Sequence, residues 1–438
     1  MTVVLDFGRH GLEVSLPQGL DVEVVRTSRH PPLPDPPAAI LRALAQPLGC
    51  ASLAELCRGR KSAVVVVSDK TRPVPYRVLL PPLLRTLWDA GLGPDRVEVL
   101  VATGLHRSNT ADELLEMLGE DVVRTYRVRN HDARNDATHA FVGTTRRGTP
   151  VWIDRGYLDA DLRILTGLIE PHLMAGYSGG RKALCPGIAG VATIRRIHGP
   201  ELLEAPIGPG ILDGNPFHEE LLEILGMVGA EFLCDVSIDR QRRITGIYAG
   251  DVVRAHCAGA DNVERQVLVT VEHPADVVLV SAGGYPLDQT LYQSIKGLVA
   301  ALNVVRTGGA IVLAAELAEG AGSREFVELL TSAESPGEFM EKVWRPDFFC
   351  IDQWMVQHLC QVLRKATVWI AAPRPVLSFP TGFRIRWAST PEHALAEALA
   401  QLGNVRRILV IPEGPYALAT VRGKKLPLGT AWREEPSA

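Results

Sequence analysis

The stretch His172 to Gly187, HLMAGYSGGRKALCPG, sets an imidazole, a glycine-rich turn, an amine at Lys182 and a second glycine turn close together. Such a run is poor core material. Glycine lets the backbone close on a ligand, lysine is depleted in interiors unless paired or reactive, and imidazole titrates near neutrality. The expected chemistry is a loop around an anionic or covalently held group, with a proton-transfer group beside it. Further polar groups begin where apolar runs stop. VVVV is followed by Ser68, Asp69, Lys70, Thr71 and Arg72, VEVLVA by Thr103, Gly104, Leu105 and His106, LRILT by a segment ending in Glu170, Pro171 and His172, and DVVLVSA by Gly283, Gly284 and, further on, Asp288.

Taken singly, each of these reads blandly. Asp69 to Arg72 is a solvated turn, His106 a structural histidine, Asp288 a helix N-cap, and Gln293 with Lys296 a surface pair on one helix face. His198, just before Gly199-Pro200, simply ends a helix. The bland reading weakens because the features recur together at strand ends and helix starts. Two histidines can act as general acid and base, and inverting one carbon needs a proton acceptor on each face. Arginine and lysine suit a carboxylate substrate. SGGRK lacks the spacing of a phosphate-binding P-loop, and no G-x-G-x-x-G dinucleotide fingerprint follows a strand. An ordinary nicotinamide-dependent dehydrogenase is therefore disfavoured. A non-catalytic nucleotide-binding module would keep the Lys182 loop but would need neither two histidines nor the Gln293/Lys296 pair. The usual zinc-ligand clusters are absent from the sequence.

The elements that must position these groups follow an α/β pattern. Short β-branched runs at Ala63–Ser68, Val97–Ala102, Leu162–Thr166, Val277–Ser281, Ala310–Ala315, Thr367–Ala371 and Arg407–Ile411 alternate with helix-length segments. Several are apolar throughout, as strands covered on both faces are. The expected fold is two α/β domains with mostly parallel sheets and an active-site cleft between them. Residues 1–273 would form the first, carrying the cofactor and the histidines. Residues 274–438, a doubly wound unit, would contribute substrate-binding groups, with the break near His273-Pro274.

Bulk properties limit the partners. The chain has 438 residues and a net charge of -4, which gives no case for nucleic-acid binding. Nothing approaches the ~20 apolar residues of a membrane span, and Asp6 and Arg9 interrupt any signal-peptide core. The seven cysteines form no C-x-x-C pair, as expected of reduced thiols in the cytoplasm.

Together, SDKTRPVP (68–75), TGLHR (103–107), EPHLMAGYSGGRKALCPGIAG (170–190), His198 and GGYPLDQTLYQSIKG (283–297) resemble the lactate racemase family. The resemblance spans roughly residues 64–310, and its order and spacing fit throughout. It implies a nickel-pincer nucleotide, a pyridinium mononucleotide with two thiocarboxyl arms, tethered as a thioamide to Lys182. Nickel would be held square-planar by two sulfurs and a ring carbon of that cofactor, with His198 as the fourth ligand. Asp69, Lys70, Thr71 and Arg72 match cofactor contacts, and Arg72 also reaches substrate. His106 and His172 match the acid/base pair, Gln293 and Lys296 the substrate-binding pair. The implied reaction is racemisation of a small aliphatic 2-hydroxy acid, lactate or a near homologue, by hydride transfer. Another hydroxy acid or a sugar is the alternative substrate, and cofactor-synthesis enzymes are the implied partners.

Overall fold

In the computed structural model, residues 1–423 are described apart from Arg29 and Pro346; the end of the expected second domain, 424–438, lies outside the described residues. Two six-stranded sheets organise the chain. In spatial order the first runs Ile244–Gly250, Phe232–Ile238, Leu162–Leu168, Ala63–Ser68, Val97–Ala102 and Arg127–Asn130. It is parallel except where Phe232–Ile238 meets the edge strand Ile244–Gly250. The second, parallel throughout, runs Ile385–Ala388, Ala366–Ala371, Val305–Ala314, Ala275–Ser281, Arg407–Ile411 and Asp21–Val24.

The apolar runs form strands because successive side chains have opposite faces to fill. Val65 and Val67 join one core with Leu79, Leu83 and Leu87 of the helix Tyr76–Asp89. Their neighbours Val64 and Val66 face another core, which also takes Val278 and Val280 of the second sheet. That shared core holds the two sheets together, and the seam beside it is where groups from both can meet.

The first residues of the chain depart from the expected division at 273. Asp21–Val24 pairs with Arg407–Ile411 in the second sheet. The hairpin of Thr2–Leu5 and Leu12–Ser15 packs there too. Its alternating Val3, Leu5 and Val14 need an apolar surface, and Val277, Leu279 and Val312 supply it. The chain then crosses to the first sheet and returns through Leu268–Val271, which pairs with Leu418–Val421. Parallel pairing puts the carboxyl ends of Ala63–Ser68, Val97–Ala102 and Leu162–Leu168 on one rim, the usual ligand edge of an open α/β sheet.

Candidate active site

Asp69 follows the first of these strand ends and is buried. Its Oδ1 accepts from Thr71 N at 3.1 Å and Thr71 Oγ1 at 2.6 Å, and its Oδ2 lies 2.6 Å from His106 Nδ1. Burial raises the carboxyl, but the imidazole and the Thr71 hydrogen bonds outweigh it and hold Asp69 below its usual range. An ionised Asp69 keeps the proton on Nδ1 of His106 and leaves Nε2 as an acceptor. Arg72 reaches across to Glu170, with Nη1 2.5 Å from Oε1. Lys70 does not join them: its amine pairs with Glu113 at 2.6 Å on the exposed side.

His172 is set the opposite way. Its Nδ1 accepts from Met174 N and Ala175 N, both at 3.2 Å, so the neutral ring carries its proton on Nε2. Burial, then Lys182, Arg72 and Lys296, push its pKa well below the ordinary imidazole value. The loop that follows turns through Gly179, at φ +77°, where a Cβ would run into the Asp235 carboxylate. Asp235 Oδ2 accepts from Gly180 N at 2.7 Å, fixing the turn Gly180–Lys182. Lys182 is thereby delivered inward, and burial, then Arg72 and Arg181, lower its amine well below the ordinary lysine value.

His198 caps the C-terminus of the helix Val191–Ile197. Its Nδ1 donates to Ile194 O at 2.9 Å, which leaves Nε2 as the free lone pair. Burial pushes its pKa down to about 3. Lys182 Nζ and the His198 ring each lie 5.8 Å from the ring of Phe217, so one aromatic side chain spaces the two. Among the described residues no three His, Cys, Asp or Glu side chains cluster as a metal site.

The second sheet contributes the helix Leu291–Leu302. Its N-cap is Thr290, whose Oγ1 accepts from Gln293 N at 3.3 Å, and not Asp288 as the sequence suggested. Asp288 sits one turn earlier and accepts from Gly8 N at 2.6 Å, because the chain's first hairpin packs against this loop. Gln293 Oε1 is buried with no partner. Lys296 is pushed down to about 7 by burial, then by Arg72. Arg72, Glu170 and His172 from the first sheet and Lys296 and Tyr416 from the second line one cavity of about 40 Å³.

Three groups at the site had no role in the sequence reading. Glu170 stood inside a quoted motif, but its partner Arg72 is 98 residues away. Phe217 lies in an otherwise ordinary amphipathic helix, Pro216–Val228. The Trp354 ring packs tilted at 47° to the His198 ring, with centroids 4.7 Å apart, and donates from Nε1 to Tyr292 Oη at 3.0 Å. Its segment, QWMVQHL, reads as a buried helix face and nothing more.

Comparison with known proteins bears on this arrangement. Residues 7–206 match the family model of the lactate racemase N-terminal domain, and 270–418 that of the C-terminal domain. The chain is 35% identical over 378 residues to the lactate racemase of Thermoanaerobacterium thermosaccharolyticum, covering 86% of this chain and 88% of that one. It is 34% identical over 377 residues to the lactate racemase of Lactiplantibacillus plantarum, covering 85% and 88%. The structure of the T. thermosaccharolyticum lactate racemase apoprotein superposes with a TM-score of 0.90 at 33% identity, over 96% of this chain and all of that one. A Thermotoga maritima protein shares the fold, with a TM-score of 0.65 at 20% identity over 89% and 99% of the two chains.

Proposed function

The chain belongs to the lactate racemase family of isomerases, and from that premise we propose that it interconverts the D and L forms of a small 2-hydroxy acid. Lactate or a short aliphatic homologue is the substrate, a nickel-pincer nucleotide tethered to Lys182 the cofactor. The observation that carries this reading is the cavity where Arg72, His172 and Lys296 meet from two sheets. A carboxylate there finds a forked guanidinium and an ammonium, with an imidazole within the same walls.

The residues fit the cofactor. A half-buried amine whose pKa burial, then Arg72 and Arg181, lower is eased toward the nucleophilic form that a covalent tether requires. His198 offers Nε2 while its other nitrogen is anchored to a carbonyl, the usual setting of a metal-ligating imidazole. Thr71 and Asp69 form a braced turn that carries His106. When bound, the group supplies the acceptor for the C2 hydride.

The protein's own part is binding, orientation and proton transfer. Arg72 and Lys296 hold the carboxylate, and Gln293 Oε1 is a buried acceptor available to a hydroxyl. His106 is braced by Asp69 with Nε2 free, which suits it to take the hydroxyl proton. His172, held below the ordinary imidazole pKa, is a strong acid once protonated and a neutral hydrogen-bond donor otherwise. In the reverse direction the two exchange roles, and His172 then takes the proton on Nε2 from the tautomer that carries its own proton on Nδ1 and gives up the Met174 and Ala175 amide bonds. The reaction runs in the cytoplasm, in line with seven free thiols, after cofactor-synthesis enzymes have supplied the nucleotide.

Racemisation of C2-deuterated lactate tests the reading. The deuterium should stay in the product and slow turnover, and His106→Ala or His172→Ala should each stop racemisation with the adduct still on Lys182. Rapid loss of deuterium to water would refute hydride transfer. An unmodified chain that reduces NAD would refute the racemase reading altogether.

A further inference from the structure

Two enantiomers differ by the exchange of two substituents on one carbon. If Arg72 and Lys296 hold the carboxylate in place and C2–H faces the same side for both, hydroxyl and side chain trade positions. The enantiomer whose hydroxyl meets His106 then carries its side chain toward His172, and the other does the reverse. The surroundings of the two histidines are unequal. His172 lines the cavity, whereas His106 lies outside it, against Asp69.

The cavity also runs beyond the charged groups. One turn along the helix from Lys296, Val299 and Ala300 stand on its wall, which Leu173, Leu287, Leu418 and, a further turn along the helix, Asn303 also line. Its volume of about 40 Å³ compares with roughly 10–15 Å³ for one water-sized group. On that scale it has room for about three such groups, the carboxylate between Arg72 and Lys296 included, which leaves space for only a short side chain. Beside Val299, Ala300 and the three leucines a buried hydroxyl finds no partner, at a cost of a few kcal/mol, so that stretch of the wall favours an alkyl group.

We propose that the end of this cavity beyond Arg72 and Lys296 is the side-chain pocket for one of the two enantiomers, with Val299 and Ala300 setting its depth and selecting short aliphatic 2-hydroxy acids. The assignment rests on the racemase reading.

The test uses the cofactor-loaded enzyme, wild type and Ala300→Leu, with both enantiomers of lactate and of 2-hydroxy-4-methylpentanoate. Leucine at 300 fills the pocket. The ratio of kcat/KM for lactate to that for the larger acid should rise at least tenfold, the scale on which apolar pockets discriminate added carbons. The equilibrium constant of a racemisation is one, so kcat/KM must stay equal in the two directions. The asymmetry therefore appears as a rise in KM and kcat together for the enantiomer that uses the pocket. Val299→Ala should move the ratio the other way. Calorimetric titration of the same proteins with pyruvate and 4-methyl-2-oxopentanoate gives a readout independent of turnover, and Ala300→Leu should weaken the larger keto acid at least tenfold more than pyruvate. An unchanged ratio in turnover and titration overturns the pocket while the racemase reading stands. Equal losses for both acids make the cavity an access route and overturn it too. A wild type that racemises neither acid overturns the reading and the pocket together.

Discussion

Lys296→Met should make the protein more stable and nearly inactive. The amine's folded-state pKa is about 7, against an ordinary 10.5, chiefly because burial penalises the charge. At pH 7 the unfolded chain binds this proton fully and the folded chain by half. One pKa unit is worth about 1.4 kcal/mol, so the gap sets a ceiling of about 4–5 kcal/mol of destabilisation. Lys296 is only half-buried, and solvent screening brings the expected value to about 2 kcal/mol. Methionine matches the length and carries no charge. The gain should be full below pH 7. It should shrink as pH rises toward 10.5, because the wild type gains stability wherever the unfolded state holds the extra proton. Urea unfolding of both proteins at pH 6, 7, 8 and 9.5 measures this directly. Loss of a charged hydrogen-bonding partner for the carboxylate should lower kcat/KM at least about a hundredfold. A variant less stable than wild type at pH 7, or a stability difference indifferent to pH, would refute the picture of a cation held against its solvation for the substrate.

Lys182→Ala should remain folded and lack the cofactor adduct, as read by intact mass after production with the cofactor-synthesis enzymes; an adduct on another lysine would displace the assignment. His198→Ala should keep the adduct but lose nickel on dialysis, as read by metal analysis. Glu170→Gln should raise KM more than it lowers kcat, because it releases the Arg72 guanidinium from a 2.5 Å contact, and steady-state kinetics with Glu170→Asp as the partial rescue checks it. His131, 2.9 Å from His139 between their Nε2 atoms, is pushed down to about 4 by burial and then by His139. The unfolded chain takes up this proton first on acidification, so stability should fall between pH 6.5 and 4 by up to about 3 kcal/mol, and urea midpoints of His131→Gln should lack that part of the decline.

What the sequence disclosed follows from how locally each signal is written. The runs at Ala63–Ser68, Val97–Ala102 and Arg407–Ile411 are apolar and abrupt, and their bounds in the structure match those read from the sequence. Polar residues directly after such runs gave Asp69, His106 and His172 a shared rim. Phe232–Ile238 escaped notice because Asp235 and Ser237 break its apolar pattern, although both are buried. Asp21–Val24 alternates acid with valine and looks like surface. What makes it a strand lies in Arg407 and its neighbours, and Arg407 also pairs with Asp21 at 3.0 Å. The family resemblance sets Lys70 beside Asp69 and Arg72 as a cofactor contact; its amine is turned to Glu113 at 2.6 Å, a partner 43 residues away that no local pattern marks. Trp354 reached the site through tertiary packing that no local pattern records.

The place of Asp21–Val24 at the border of the second sheet bears on how the molecule is made. Among the described residues its strand partner there is Arg407–Ile411 alone, 386 residues later at the Asp21–Arg407 contact. Loop-closure entropy grows only slowly with length, so the finished pairing costs little more than a short one would. Order in time is another matter. A chain synthesised from its N-terminus exposes the hairpin and this strand long before their apolar counterparts exist, and unpaired strand edges invite association with other chains. This early segment thus waits for a seat made some 386 residues later, and the nascent chain needs shelter until Arg407–Ile411 has emerged.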